Sequence, residues 1–442
     1  MKLKILLILY LITIAGNYSY SAVPDSSYAD SRFVIDSILI KGNDITEEYI
    51  ILRELTFAEG DTVTTTDLKY NEERVFSLNI FTKVEFNKEN KDGKNILTIS
   101  VEESWYIYPV PFAELKDKDW DKISYGVDLV VLNFRGRNEF LRVRAAFGYD
   151  KNYILSYSVP YLIEEENIFL RTDFSYLNST NRSNAARILY GGDFEQKFVS
   201  SRITIGKRFG PFHKTALRLE YDYIETPFFI KGISASDDRI DRQPVLGLSY
   251  TYDTRDLVQF PKEGLYTYAE VVFKGLGVDD INYQVYYLDF REYRGLIDDL
   301  KAKWRLAVRH TAGETVPFYD YSFLGFGERI RGYFNYEQEG NTSLLSSVEI
   351  HYPVVKDFRL SLEFIPLIPK ALLTYRFALY AQLFGDTGAT WVSHEDISLN
   401  KFNTGYGFGL TLLILPYNTL RFETAFDEKF NQEWIFDLGI SF

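Results

Sequence analysis

The chain has 442 residues, no cysteine, 62 acidic against 49 basic side chains, a formal charge of −13 and a pI near 5.0. The missing cysteine excludes a disulfide framework, an iron–sulfur site, a cysteine nucleophile and a lipoprotein anchor, and the acidic balance leaves no basic footprint for nucleic acid. Tyr (34) and Phe (35) are abundant while Met occurs once, a bias that suits strands and membrane-interface girdles better than helices.

Residues 1–21 read as an export signal. Lys2 and Lys4 precede an apolar core from Ile5 to Ala15, and the small residues Ser19 and Ser21 suit cleavage before Ala22. That core is shorter than the ~20 residues of a spanning helix. Residues 22–32 form a linker, and no later segment reads as a membrane helix.

Residues 33–103 predict a small α+β module. A strand over Phe33–Ile40 is followed by a helix from Thr46 to about Leu55 with acids at its start, a second helix from Asp67 to about Leu78, and strands 81–86 and 96–101 around Asp92-Gly93. The phrases "IKGNDITEEYI", "LTFAEGDTVTTTDL" and "SLNIFTKVEF" lie at the positions of landmarks in POTRA (polypeptide-transport-associated) domains, which the module resembles.

From residue 105 to 442 the pattern changes to segments of about ten residues with strict alternation. Leu217, Leu219, Tyr221 and Tyr223 interleave with Arg218, Glu220 and Asp222; Trp434, Phe436, Leu438, Ile440 and Phe442 interleave with Asp437 and Ser441. A soluble sandwich would bury the apolar face, whereas a membrane barrel turns it to lipid and wets the charged one. With the export signal and the terminal aromatic, the expectation is a mainly β protein: an antiparallel transmembrane β-barrel of about 16 strands, from 105–115 to 432–442, with 184–200 mostly loop.

The connection 311–341 is the longest, and long loops tend to carry function. It contains Gly327-Glu328-Arg329-Ile330-Arg331-Gly332-Tyr333-Phe334. Ile330-Arg331-Gly332-Tyr333 resembles the (V/I)-R-G-(F/Y) motif of the BamA/TamA/FhaC superfamily of outer-membrane insertases and translocases. "FGDTGATW", with Asp386 and Gly388, is similar to that family's D-x-G strand; "SSVEIHYP", "GYGFGLTLLILP" and "SYTYDTRDLVQFPKEGLYTYAEVVF" match further landmarks, while "LPYNTLRF" departs from the usual S-P-x-G-P-L. The resemblance implies a loop folded into the lumen with its arginine bonded to the wall.

Parity bears on that implication independently. Tyr375, Phe377 and Leu379 on the lipid face put Arg376, Gln382 and Asp386 in the lumen, and Val348 and Ile350 turn Glu349 inward. Arg331 is therefore expected to pair with Asp386 first and Glu349 second, with Arg329 as competitor. The alternative leaves Arg331 on a solvated extracellular loop.

Pro109 and Pro111 share parity in the first barrel strand, where each removes a ladder donor. If that edge faces the terminal strand ending at Phe442, the closing seam is weak and a client strand can use it. The other reading is that the prolines ease the bend from POTRA to barrel.

No enzymatic constellation emerges: His213, His310, His351 and His394 lack metal-ligand spacing, and there is no G-x-S-x-G elbow or phosphate loop, so neither cofactor nor metal is expected. The resemblance implies an outer-membrane protein whose periplasmic POTRA receives unfolded polypeptide clients, whose barrel inserts or passes them, and whose partners are the bilayer and accessory assembly proteins. A passive small-solute channel and a membrane-bound lipase or protease are the alternatives. A single POTRA points to a paralogue with a narrower client set or one served by separate partners.

Overall fold

The computed structural model describes residues 32–115, 120–325, 328–333, 336–362, 365, 368–392, 395 and 398–442. The expected export signal, the linker up to residue 31, Gly327, Phe334 and His394 lie outside them.

The N-terminal module comprises β1 (Phe33–Val34), β2 (Ser37–Lys41), α1 (Glu48–Leu52), β3 (Thr62–Val63), α2 (Thr65–Phe76), β4 (Phe81–Lys91) and β5 (Lys94–Glu103). Asp92 and Gly93 both take positive φ (53° and 78°), the twist a two-residue hairpin needs, and set Lys91 opposite Lys94. Thr64 and Asp67 cap α2 reciprocally. Ile50, Ile51, Val75, Phe81 and Ile99 are buried between helices and sheet.

Two expectations for this module need correction. The single strand 33–40 is broken, because Ile35 exchanges hydrogen bonds with the turn instead of a strand: its amide donates to Asp61 O at 3.0 Å and its carbonyl accepts from Gly60 N at 2.7 Å. The first helix is shorter than 46–55, since Thr46 gives its amide and hydroxyl to the Glu103 carboxylate at 2.7 and 2.6 Å. A side chain in those bonds stands outside the helical ladder.

The barrel strands are β6 (Ile107–Leu115), β7 (Ile123–Phe134), β8 (Glu139–Gly148), β9 (Lys151–Ile163) and β10 (Ile168–Thr180); then, after α3 (Asn184–Tyr190), β11 (Glu195–Phe209), β12 (His213–Glu225), β13 (Ile240–Asp253), β14 (Gly264–Lys274), β15 (Tyr283–Ile297) and β16 (Leu300–Gly313). A short pair, β17 (Ser322–Leu324) and β18 (Gln338–Gly340), lies inside the long loop. The wall then resumes with β19 (Thr342–Ser361), β20 (Thr374–Trp391), β21 (Asn403–Leu415), β22 (Asn418–Phe426) and β23 (Gln432–Leu438).

Without β17 and β18, these strands form one 16-stranded sheet with antiparallel neighbours throughout. Its faces are those of a membrane barrel rather than a sandwich: Leu219, Tyr221, Leu383 and Phe422 are exposed while Glu220, Asp222, Lys303 and Arg305 are buried. Region 184–200 holds α3, capped by Ser183 and ended by Gly191 at φ 87°, so the wall gains no extra strand there.

Among the described residues the sheet does not close by pairing. Its order begins at β23 and ends at β6, and among the described residues no ladder joins the two. Tyr106 O accepts from Leu132 N at 2.8 Å, and the register pairs Ile107 with Val131, so by alternation the even residues of β6 bond to β7. The nitrogens of Pro109 and Pro111 therefore face the open edge.

The C-terminus corrects a third expectation. The last strand stops at Leu438, not Phe442, because Gly439 at φ 92° breaks the alternation. Phe442 is buried rather than lipid-facing: its carbonyl accepts from Tyr293 Oη at 3.3 Å and its ring lies 4.4 Å from Lys303 Nζ. It thus sits inside the wall and not on the seam.

The N-terminal module covers the adjacent rim of the barrel. Glu73 on α2 takes both guanidinium nitrogens of Arg376 at 2.6 and 2.7 Å, Glu54 is shared by Arg74 and Arg208, and Tyr70 Oη donates to Thr254 O at 2.9 Å. One apolar cluster runs from Ile50 and Phe76 into Leu257, Phe260 and Leu413 of the barrel.

Candidate functional site: the lumen loop and its anchors

Between β16 and β19 the chain turns back into the barrel, where β17 pairs with β18 and carries the segment around residues 328–333 against the inner wall. Ile330 is buried with Leu324, Leu345 and Ala307, and Tyr333 packs on this cluster. Close approach requires glycine in the wall. A Cβ on Gly405 would stand 1.7 Å from Arg331 O, and one on Gly388 would meet Ile330 Cδ1 and Leu324 Cδ1 at 3.2 Å.

Arg331 is 4% exposed and is the centre of an ionic cluster. Its Nε and Nη2 donate to Asp386 Oδ2 and Oδ1 at 2.7 Å each, its amide donates to Oδ2 at 3.1 Å, and Nη1 donates to Glu423 Oε1 at 3.0 Å. Glu349 Oε1 stands 2.6 Å from Nη1, and the Phe384 ring lies 3.7 Å under the guanidinium. The planar fork thus has acceptors on its edges and an aromatic face below, a geometry lysine cannot reproduce.

The cluster extends along the wall in both directions. Glu349 also meets Lys303 Nζ at 2.9 Å and His351 Nε2 at 2.8 Å, and Lys303 reaches Ser441 Oγ at 2.6 Å. On the other side Arg421 bridges Glu423 and Asp437, while Arg329 takes Asp437 and the amide of Gly332 donates to Glu433 Oε2 at 2.7 Å. Gly332 holds φ 94° to make that contact. The loop is therefore bonded to β19, β20, β22 and β23.

A second anchor lies nearer the start of the loop. Asp320 accepts from Arg309 Nη2 at 2.7 Å and from Tyr283 Oη at 2.8 Å, and Arg305 joins Asp289 on the wall to Glu328 on the loop at 2.6 to 2.8 Å.

The structure brings Ile330, Arg331, Gly332, Tyr333, Asp386, Glu349 and Gly388 together, and it gives Arg329 a different acceptor from Arg331. Arg376 leaves the lumen for the POTRA contact. Pro109 and Pro111 lie elsewhere, at the open edge. Glu423, Arg421, Asp437, Lys303 and the Asp320 anchor are absent from the sequence-derived site; the same inward parity, applied to Phe422 and its neighbours in β22, exposes Arg421 and Glu423. Among the described residues no group of His, Asp and Glu is arranged to hold a metal ion.

A POTRA-type βααββ module feeding a 16-stranded membrane sheet, with a loop arginine bonded to the inner wall, defines an outer-membrane barrel of the POTRA-bearing class. Residues 133–442 match the Omp85 superfamily domain and residues 33–104 the POTRA family described as a surface antigen variable number repeat. The chain belongs to the Omp85 superfamily, whose members are outer-membrane β-barrel proteins with periplasmic POTRA domains. It is similar in fold to BamA from Haemophilus ducreyi lacking POTRA domains 1–3, at 17% identity over 92% of this chain and 84% of that one, with a TM-score of 0.53. CdiB from Escherichia coli gives 11% identity over 96% and 91%, with a TM-score of 0.50. A comparison with curated proteins gives no match.

Proposed function

We propose that this protein inserts polypeptides into the outer membrane or passes them across it, with the POTRA domain receiving the client and the seam between β6 and β23 acting as a lateral gate beside the anchored loop. The observation that carries this reading is the unpaired seam. Two strand edges that no ladder joins are costly in hydrocarbon and are templates for an incoming strand. Pro109 and Pro111 withdraw two donors from one of those edges, which favours a seam that opens over one that zips shut.

The client's first contact is the outer edge of β2, which among the described residues pairs only with β5. Ile38 N there is held by Glu59 Oε1 at 2.8 Å, a side-chain bond that an arriving strand can replace. A passive channel for small solutes uses neither the outer β2 edge nor the seam.

A photo-crosslinking amino acid at Leu39, which is exposed on β2, tests the reading in cells. Covalent adducts with periplasmic polypeptides are expected. Absence of any adduct, with small-solute uptake depending on the protein, would establish the passive channel instead.

A further inference from the structure

The outward face of β19 to β23 carries a concavity of about 850 Å3, bounded by Ile350, Leu383, Phe408, Phe422, Trp434 and Phe436. These are the side chains that parity and exposure turn to the membrane; Leu383 is 61% and Trp434 78% exposed. Behind the hollow, the inner face of β21 is built from Gly405, Gly407 and Gly409. A Cβ on Gly407 would stand 2.6 Å from the Phe384 ring, and one on Gly409 would stand 2.9 Å from Glu423 Cγ. Phe384 and Glu423, from the neighbouring strands, thus cover the β21 glycines on the luminal side.

We propose that this hollow is a binding site for the acyl chains of a membrane phospholipid. Its volume falls in the ~300–1,000 Å3 range of small-molecule sites, and its lining is overwhelmingly hydrocarbon. Left empty, its walls would forgo dispersion contacts on one side. A peptide does not suit its floor away from the seam: β20, β21 and β22 spend their backbone groups on uninterrupted ladders, from Arg376–Leu415 to Gly388–Asn403 and from Tyr406–Phe426 to Ile414–Asn418, so a backbone lying over them would go unpaired in lipid. Hydrocarbon needs no partner.

The hollow runs across the strands: Leu300 and Tyr352 close it on the β16–β19 side, and the register carries it through Ala381, Leu410 and Phe422 to Phe436 of β23. Further along β19 from Tyr352, the exposed Lys356 pairs with Asp299 at 2.7 Å, a charge within reach of a phospholipid headgroup. An acyl chain seated in the hollow therefore runs across β19 to β23. Trp434 and Phe436 belong to β23, so a seated lipid braces one side of the open seam.

The test uses full-length protein purified in mild detergent, with retained phospholipid counted by native mass spectrometry. Ala381, on the same outward face, accepts added hydrocarbon without facing the lumen. Wild type is expected to keep phospholipid, Ala381→Phe combined with Leu383→Trp to lose it roughly tenfold, and Ala145→Phe, on the outward face of β8, to keep it. An empty wild type, equal retention in the filled variant, or equal loss in Ala145→Phe would overturn the proposal. A second measurement leaves the hollow's other walls untouched: vesicles of brominated-chain phosphatidylethanolamine should quench a component of tryptophan fluorescence that survives dilution into lipid-free detergent and is missing from Trp434→Phe. Immediate recovery on dilution, or the same component in Trp434→Phe, would refute a bound lipid.

Discussion

Arg331 grips Asp386 side-on, with Nε and Nη2 each donating at 2.7 Å to a different oxygen of one carboxylate, while the backbone amide of Arg331 adds a further bond to the same group. The loop is thereby fixed in position and rotation at once. Because both residues are almost wholly buried, the pair is worth less as net stability than as a constraint: desolvation offsets most of its attraction, yet removing one partner strands the other.

Arg331→Ala is expected to cost about 3–5 kcal/mol at this site, since Asp386, Glu349 and Glu423 would then share too few cations. Arg331→Lys should recover only part of it, because a point charge cannot bridge Asp386 and Glu423. Protease cleavage within 325–337 reads loop release. Equal resistance in wild type and Arg331→Ala would show that the cluster does not hold the loop.

Gly405→Val should release the loop as effectively as Arg331→Ala while leaving every charge in place, because its Cβ would collide with Arg331 O. Gly385→Ala is the matched control: no atom lies within 4 Å of a Cβ there. Equal protease patterns for the two glycine variants would contradict the close approach.

The POTRA domain should loosen from the rim when Glu73 and Arg376 are separated. Their bidentate contact is partly exposed, so a coupling of about 1 kcal/mol is expected from a double-mutant cycle. Hydrogen exchange in α2 reports it: Glu73→Ala and Arg376→Ala should each speed exchange, and the pair together should add little more. Full additivity would mean that the two side chains act independently.

Glu72 makes the POTRA pH-sensitive. Burial raises its carboxyl above the ordinary value, against the hydrogen bond from Phe86 N that pulls the other way. A folded-state pKa above the unfolded one means the stabilisation is fully present below the unfolded pKa and lost as pH rises through the folded pKa. Wild-type exchange in α2 and β4 should therefore slow as pH falls from neutrality toward the ordinary carboxylate range, relative to Glu72→Gln, once corrected for intrinsic rates. An identical pH response in the two proteins would remove Glu72 as the cause.

The sequence carried the barrel's architecture well because a period of two survives wherever lipid lies on one side and charge on the other. Glu349 and Asp386 were legible for that reason. Phe442 was not: it continues the alternation of Trp434 and Phe436 in sequence, but one glycine at positive φ sends it inside. The length of β19 was hidden by Pro353 and the charged run Lys356-Asp357, whose bulges let pairing continue to Ser361. The anchoring of the loop to β22 and β23 depends on which strands surround one arginine, a tertiary fact that no local pattern records.

The seam itself offers the most direct measurement. The chain has no cysteine, so one cysteine in β6 and one facing it in β23 form the only possible disulfide. Delivery of the polypeptides captured at Leu39 should stop when that bond is oxidised and resume on reduction. Delivery that continues unchanged with the seam fully locked would contradict lateral gating.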